Sequence, residues 1–455
     1  MKLSNYAHWI EIIDGEYALF NSILMQIAFV DKKQLVKIKN FDVNNKEKEQ
    51  LIELGIYVND DSILDDVYND LASAIKNQSK KLSIMYLNIS TFCNLACKCK
   101  YCFIENNPIT NNCFQKMDFT TAKIAVDKFV NEIDKNSVEE AQIIIYGGEP
   151  LTNFELLEKI VQYIRKIKND LAVTIITNGT LLRKKEILFL KQNKVGIGIS
   201  LDGPKKINDK NRVFRSGTGS VYDSAVEGIK LLNKYDCNYC VSATVTNDVL
   251  DNQEEVFKWI KDLKIKNIFW NLYHYSTYVN EEEWEKFYKK MSNFILNMYL
   301  KLDAINIDEE RVKEQLKLFL DKKFKFHNCG AVGLNQITVQ PNGDVCICQG
   351  DSRSSDTIVG NIVTDNIDTI LNNQKNNKWL EMYTIDKSEC KNCPAISVCG
   401  GGCPLQSEAL FGDRKDLDRA TCIYYKESLK WLLLQYYLTS EEIEKNNISE
   451  ETICV

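Results

Sequence analysis

The chain is poor in histidine and proline and has no long apolar run. Its 455 residues include three histidines and six prolines. The histidines, His8, His274 and His327, are isolated from one another, and only His274, past the sixth expected strand, is placed to face a site. The prolines are thinly spread, so no rigid linker announces itself. No uninterrupted apolar stretch is long enough to span a bilayer, and Met1-Lys-Leu-Ser-Asn-Tyr-Ala-His8 holds no hydrophobic segment for an export signal. The expectation is a cytoplasmic protein with no membrane partner. Basic charge is not in excess either: the net charge of −6 argues against a nucleic-acid surface.

Cysteine is what the chain has in quantity. Of sixteen, twelve fall into two distant groups. The first is Cys93-Asn-Leu-Ala-Cys97-Lys-Cys99-Lys-Tyr101-Cys102. The second is Cys390-x2-Cys393-x5-Cys399-Gly-Gly-Gly-Cys403, preceded by Cys329, Cys346 and Cys348 and followed by Cys422. Thiols crowded in this way, in a chain without an export signal, suit metal better than disulfides. Cys113, Cys237, Cys240 and Cys454 read as ordinary reduced thiols. Cys237-Asn-Tyr-Cys240 enters a strand, whereas a thioredoxin-type pair opens a helix.

Around the cysteines the pattern is α/β. Residues from about 16 to 80 form a small separate unit, with strands at Tyr17–Phe20 and Ile27–Val30 and helices at Glu47–Leu54 and Ser62–Ile75. From residue 84, strands alternate with helices. The expected strands are Ile84–Ser90, Gln142–Gly147, Ala172–Thr177, Val195–Ser200, Cys240–Thr246 and Asn267–Leu272. The helices between them are Thr120–Ile133, Phe154–Lys166, Arg183–Gln192, Val221–Tyr235 and Glu254–Leu263. Such alternation predicts a parallel sheet covered by helices, with functional groups at the carboxyl ends of its strands. A helix over Glu281–Leu302 then leads, through a linker at 306–325, to an irregular cysteine-rich region at 326–425. That region has too few apolar runs to fold unaided, and metal ligation would supply the missing energy. A helix over Ile423–Leu438 and a polar tail close the chain.

The first cysteine group resembles the radical S-adenosylmethionine (SAM) superfamily, whose signature is CxxxCxΦC with an aromatic residue before the last cysteine. Two extra residues separate Cys97 from Cys102 here, so Cys93 and Cys102 are ligands in either register while the middle ligand is Cys97 or Cys99. The resemblance implies three thiolates on a [4Fe–4S] cluster, with one iron left open to chelate SAM. Other motifs follow at successive strand ends. Gly147-Gly148-Glu149-Pro150 looks like the family's GGEP motif, whose backbone and Glu149 would receive the SAM amino group. Thr177-Asn178-Gly179 looks like its TNG turn. Ser200-Leu-Asp202-Gly-Pro, followed by Asp209 and Arg212, resembles the peptide-modifying branch, in which Ser200 and Arg212 would contact SAM, the arginine through the carboxylate. Leu250, after Thr246-Asn247, falls where the family places an adenine contact, and Tyr101 is the signature aromatic.

The second group resembles the SPASM extension, which carries auxiliary iron–sulfur clusters. The family's interleaved pattern gives Cys390, Cys393, Cys399 and Cys422 to an outer cluster and Cys329, Cys348 and Cys403 to an inner one. The fourth inner ligand is Cys346 or a substrate thiolate. Where sulfatase-maturing relatives carry an aspartate as proton acceptor, this chain has Gln349, which cannot act as a base at neutral pH, with Asp351 nearby.

Together these resemblances imply an α/β protein: a partial (β/α)6 TIM-type barrel over 84–305, a winged-helix-like N-terminal domain over 1–80 and a C-terminal iron–sulfur SPASM domain. Residues 426–455 form the closing helix and tail. The expected activity is reductive cleavage of SAM to a 5′-deoxyadenosyl radical that removes hydrogen from a substrate. The N-terminal unit looks like a leader-peptide recognition element, so the expected partner is a ribosomal precursor peptide with its leader, and the expected product a Cys-to-carbon thioether. An electron donor, a reductase, flavodoxin or ferredoxin, is implied as well. A sulfatase-maturase-like or carbon–carbon crosslinking enzyme is the alternative, and a non-enzymatic metal-binding scaffold for peptides is the second. Candidate catalytic residues are Asp351 and His274.

Overall fold

The computed structural model describes residues 1–77, 80–95, 114–273, 280–325, 327, 329–350, 357–375 and 382–446, the side chains of 76–77 and 442–446 excepted. Cys97, Cys99, Tyr101, Cys102, Cys113, His274, Asp351 and Cys454 lie outside these residues.

Six parallel strands form the centre: Ile84–Ser90, Gln142–Gly147, Ala172–Thr177, Val195–Ser200, Cys240–Val245 and Asn267–Leu272, each paired to the next in chain order. Their alternation explains the layering. Met85, Leu87 and Ile89 of the first strand, and Ile143 and Ile145 of the second, are fully buried in the main hydrophobic core. The alternate residues Tyr86, Tyr146, Ser200, Ser242, Thr244 and Asn271 face an internal cavity. One face is therefore apolar and packs on helices, while the other is mixed and lines a site. The covering helices are Phe119–Lys135, Phe154–Ile167, Lys184–Gln192, Val221–Lys234 and Gln253–Asp262. In the second, Leu156, Leu157, Ile160, Val161 and Ile164 fall on one buried stripe, each burial contributing about 1.5–3 kcal/mol.

The sheet does not stop at six strands. Asp308–Glu309 pairs in parallel with the sixth strand, and Gln336–Val339 pairs in parallel with the first. Asp344–Cys346 and Ile358–Asn361 then extend it antiparallel, giving ten strands in one sheet. The cysteine-rich region thus begins as an edge of the central sheet, and its Ile337, Val339 and Val345 join the main core. The stretch expected as a linker at 306–325 holds a helix, Glu310–Leu320, capped by buried Glu309, whose carboxylate accepts from Arg311 N (3.3 Å) and Val312 N (2.7 Å).

The N-terminal unit is a three-stranded antiparallel sheet, Ala7–Ile13, Glu16–Asn21 and Gln26–Asp31, followed by helices Lys32–Lys39, Asn45–Glu53 and Ser62–Asn77. The first strand and first helix were not anticipated. The helix does carry a signal, because Asp31 and Gln34 form a reciprocal capping box at its start. One sheet face packs Ala7 and Leu19 against Leu35, Ile38 and Leu51 in a core of its own. The other face merges with the main core through Ile12, Ala18 and Phe20. The last helix, Arg419–Asn446, ties the unit down: Tyr437 meets Phe29 edge-on at 5.0 Å, and Trp431 meets Tyr299 at 5.8 Å. Among the described residues, no helix is long and apolar enough to cross a membrane.

Candidate active site and iron–sulfur centres

A cavity of about 650 Å³ opens at the carboxyl ends of the core strands, and its wall joins both cysteine groups. Cys93, Gly147, Gly148, Ser200 and Arg212 line one part; Cys329, Gln349 and Cys403 line another.

Cys93 follows the first strand in a loop held from three sides. Gly148 N donates to Ser90 O and Glu149 N to Phe92 O, both at 2.8 Å. Asn178 Nδ2 donates to Asn94 Oδ1 at 2.9 Å, and Arg215 N to Asn94 O at 2.9 Å. Leu95 N points at Cys93 Sγ (3.4 Å). Both glycines are required by this approach. A Cβ on Gly147, at φ +140°, would stand 2.2 Å from Ser90 O, and one on Gly148 would stand 2.5 Å from the Phe92 carbonyl.

Glu149 turns inward. Its carboxylate is fully buried and accepts from Thr177 Oγ1 (2.7 Å), Asn178 N (2.7 Å) and Leu151 N (3.0 Å). Burial pushes its pKa up to about 7, with the three donors opposing. The sequence reading put this carboxylate at the ligand; in the structure it is not part of the cavity lining and instead couples the second and third strand ends. Arg212 does line the cavity, but its guanidinium is nearly buried and grips Asp202, Nε to Oδ2 at 2.8 Å and Nη2 to Oδ1 at 3.2 Å. Asp202 also accepts from Thr244 N at 3.1 Å, tying the fourth strand end to the fifth. Leu250 is buried in the core and does not line the cavity.

The late cysteines sort into two neighbourhoods. Burial raises the pKa of Cys399 well above the usual thiol range, and the charges of Cys422, Cys393 and Cys390 raise it further. Cys422 is pushed up to about 12 by burial, then by Asp418, Cys390 and Cys393. Cys403 is pushed up to about 12 by burial and then by Cys329. Cys329 and Cys348 both act on Tyr86, which burial and these two thiols hold at about 12. The SPASM resemblance implies an outer cluster on Cys390, Cys393, Cys399 and Cys422 and an inner one on Cys329, Cys348 and Cys403. Cys346 is buried beside Gln340, whose Nε2 lies 4.0 Å from its sulfur.

These thiols fit iron–sulfur clusters. Buried sulfurs that repel one another's ionised forms are what a cationic metal core neutralises. Backbone N–H groups point at the sulfurs: Gly350 N to Cys348 at 3.3 Å, Gly401 to Cys399, Ala331 and Val332 to Cys329, and Leu405 and Gln406 to Cys403. Such donors stabilise cluster thiolates. The Gly400-Gly-Gly402 turn is latched to the last helix, since Cys403 N donates to Asp418 Oδ2 at 2.9 Å and a Cβ on Gly402 would strike Asp418 at 2.2 Å.

Tyr86, Arg311, Gln315 and Lys325 also line the cavity and were missed. Strand alternation could have flagged Tyr86. The other three lie in or beside the expected linker and carry no motif.

Comparison with known proteins agrees with this geometry. Residues 87–260 match the radical SAM superfamily, and residues 329–394 match an iron–sulfur cluster-binding domain, SPASM. The radical SAM cyclopropyl synthase TigE of Paramaledivibacter caminithermalis is 23% identical, covering 95% of this chain and 96% of its own. A cysteine-type anaerobic sulfatase-maturating enzyme of Clostridium perfringens is 26% identical over 71% of this chain and 88% of its own. The fold resembles that of Streptococcus suis SuiB bound to precursor peptide SuiA (TM-score 0.54, 16% identity, 92% of this chain and 99% of SuiB).

Proposed function

Because the chain belongs to the radical SAM superfamily, and is an enzyme with a SAM-binding [4Fe–4S] cluster and auxiliary clusters, we propose that it is a peptide maturase joining a cysteine sulfur to a carbon of a ribosomally made precursor. One observation carries the reading: Cys93 and the inner-group residues Cys329 and Cys403 share a single cavity, so one substrate can reach both centres. The bound clusters and SAM would supply the electron, a carbon-centred radical and an acceptor for the electron released as the new bond forms.

The chain's own residues would do the rest. Cys93 and Cys102, with Cys97 or Cys99, would hold the first cluster. The Gly147-Gly148 backbone, Ser200 and Arg212 would position SAM, with Tyr101 as a further contact. Glu149 would act at one remove, holding two strand ends in place. Gln349 stands at the cavity wall, held by Gln336 Nε2 at 3.1 Å, where a sulfatase-type reaction needs a base. Its amide favours a reaction in which the substrate thiol is captured by the inner cluster, with Cys346 the alternative fourth ligand. Asp351 and His274 are the candidate catalytic residues, without an assigned step.

The N-terminal sheet and its helices would serve as a winged-helix-like leader-recognition unit, with Gln26–Asp31 the edge strand to which an extended leader would add. The full-length likeness to SuiB, solved with its precursor peptide, supports a peptide partner. Mass spectrometry of a co-expressed precursor tests the proposal. Loss of two hydrogens with one blocked thiol is expected; an unmodified peptide would refute it. The sulfatase-maturase likeness favours a second reading, which predicts oxidation of a lone cysteine or serine with no crosslink.

A further inference from the structure

The cavity wall formed by the helix Glu310–Leu320 and the segment after it is cationic, and nothing described so far uses it. Arg311 and Gln315, four residues apart on that helix, both line the cavity, as does Lys325. Arg311 is fixed from behind: Nε donates to Trp270 O at 2.7 Å and the guanidinium lies 4.6 Å over the Phe269 ring. Among the described residues no hydrogen bond engages its two terminal nitrogens. Gln315 is 5% exposed; Tyr424 Oη donates to its Oε1 at 3.4 Å, and its amide meets Tyr425. The Lys325 side chain is 14% exposed, and among the described residues it pairs with Glu314 at a long 3.5 Å, a carboxylate that is itself 62% exposed. Two cations thus face the space with one loosely held carboxylate, Glu314, among them.

We propose that Arg311, Gln315 and Lys325 form a subsite for a carboxylate of the substrate peptide, fixing which residue lies beneath the radical centre. A planar guanidinium with free terminal nitrogens matches a carboxylate by two parallel hydrogen bonds, and burial strengthens the pair. The subsite rests on the reading that a peptide enters this cavity. The carboxylate belongs to an acidic side chain or to the peptide's C-terminus, and the experiment separates the two.

Three N-acetylated tetrapeptides serve as probes: Gly-Cys-Gly-Glu amide, Gly-Cys-Gly-Gln amide, and Gly-Cys-Gly-Gly with a free C-terminus. Their affinities for the cluster-loaded enzyme with SAM are measured by anoxic equilibrium dialysis. One carboxylate peptide should bind about 10-fold tighter than the glutamine peptide, and which one does so names the source. Arg311→Gln should erase the difference and Arg311→Lys restore only part of it. Lys325→Gln provides a second variant should the first fail to fold, as judged by iron content. Equal affinities in the native enzyme, or a preference that survives in both charge-removing variants, overturn the subsite alone. Weakened SAM binding with unchanged peptide preference would assign the wall to SAM and overturn it as well. If no tetrapeptide binds, the peptide reading fails and takes the subsite with it.

Discussion

The parallel sheet and the cysteine-rich lobe hold their reactive groups by opposite means. At the sheet end, Cys93 is set by backbone hydrogen bonds and by two glycines that let neighbouring strands close to within bonding distance. In the lobe, buried thiols crowd one another at a cost that a cluster relieves. Backbone hydrogen bonds set position in one region, and crowded, buried thiols mark the other.

The sharpest way to break that division is to remove one sulfur from each side. Cys93→Ala should abolish SAM cleavage, a loss of about 10³-fold or more, since the cluster loses a ligand. Cys403→Ala should leave cleavage within about 10-fold of native while peptide product disappears. Chromatographic detection of 5′-deoxyadenosine beside peptide mass decides; equal loss of cleavage in both would erase the distinction.

Asp202→Asn addresses the sheet side alone. It leaves the buried Arg212 guanidinium without its counter-charge, which should cost about 3–5 kcal/mol in urea unfolding. A change below 1 kcal/mol would mean the pair is replaceable. Gly148→Ala should act on position rather than stability. Its Cβ would stand 2.5 Å from the Phe92 carbonyl, displacing the Cys93 loop and slowing SAM cleavage about 100-fold with little change in iron content.

The last effect is one of pH. Glu149 and Glu309 are both held near 7 by burial, above the ordinary 4.5. The folded state keeps protons that the unfolded chain has lost, so this contribution is complete below about pH 4.5 and is lost as pH rises through 7. Each group gives a slope of up to about 1.4 kcal/mol per pH unit. Glu149→Gln should roughly halve the fall in stability between pH 5 and 8; an unchanged slope would place the carboxyl's pKa in the ordinary range.

The two regions also differ in how far they could be read in advance. All six core strands are legible because apolar residues recur at alternate positions and helices at 3.6-residue spacing follow. The ends agree within a residue or two. The cysteine groups are legible because ligand spacing is a local property of the chain. Three things were not. Ala7–Ile13 hides because Ala7 meets one core while Ile10 and Ile12 meet the other, so its two faces do not divide into apolar and polar. The strand Gln336–Val339 is short, and its partner lies some 250 residues earlier. The inward turn of Glu149 depends on Thr177 and Asn178, which the motif alone does not bring together. What escapes is non-local pairing, whose information sits in two distant segments at once.

The pairing of Gln336–Val339 with Ile84–Leu87 has a kinetic implication. The strand that leads into one metal centre is hydrogen-bonded to the strand that leads into the other, so the interval an electron must cross is set by rigid backbone rather than by a hinge. Charge passage between the centres should therefore be indifferent to solvent viscosity, whereas entry of a peptide into the shared chamber should slow as the medium thickens.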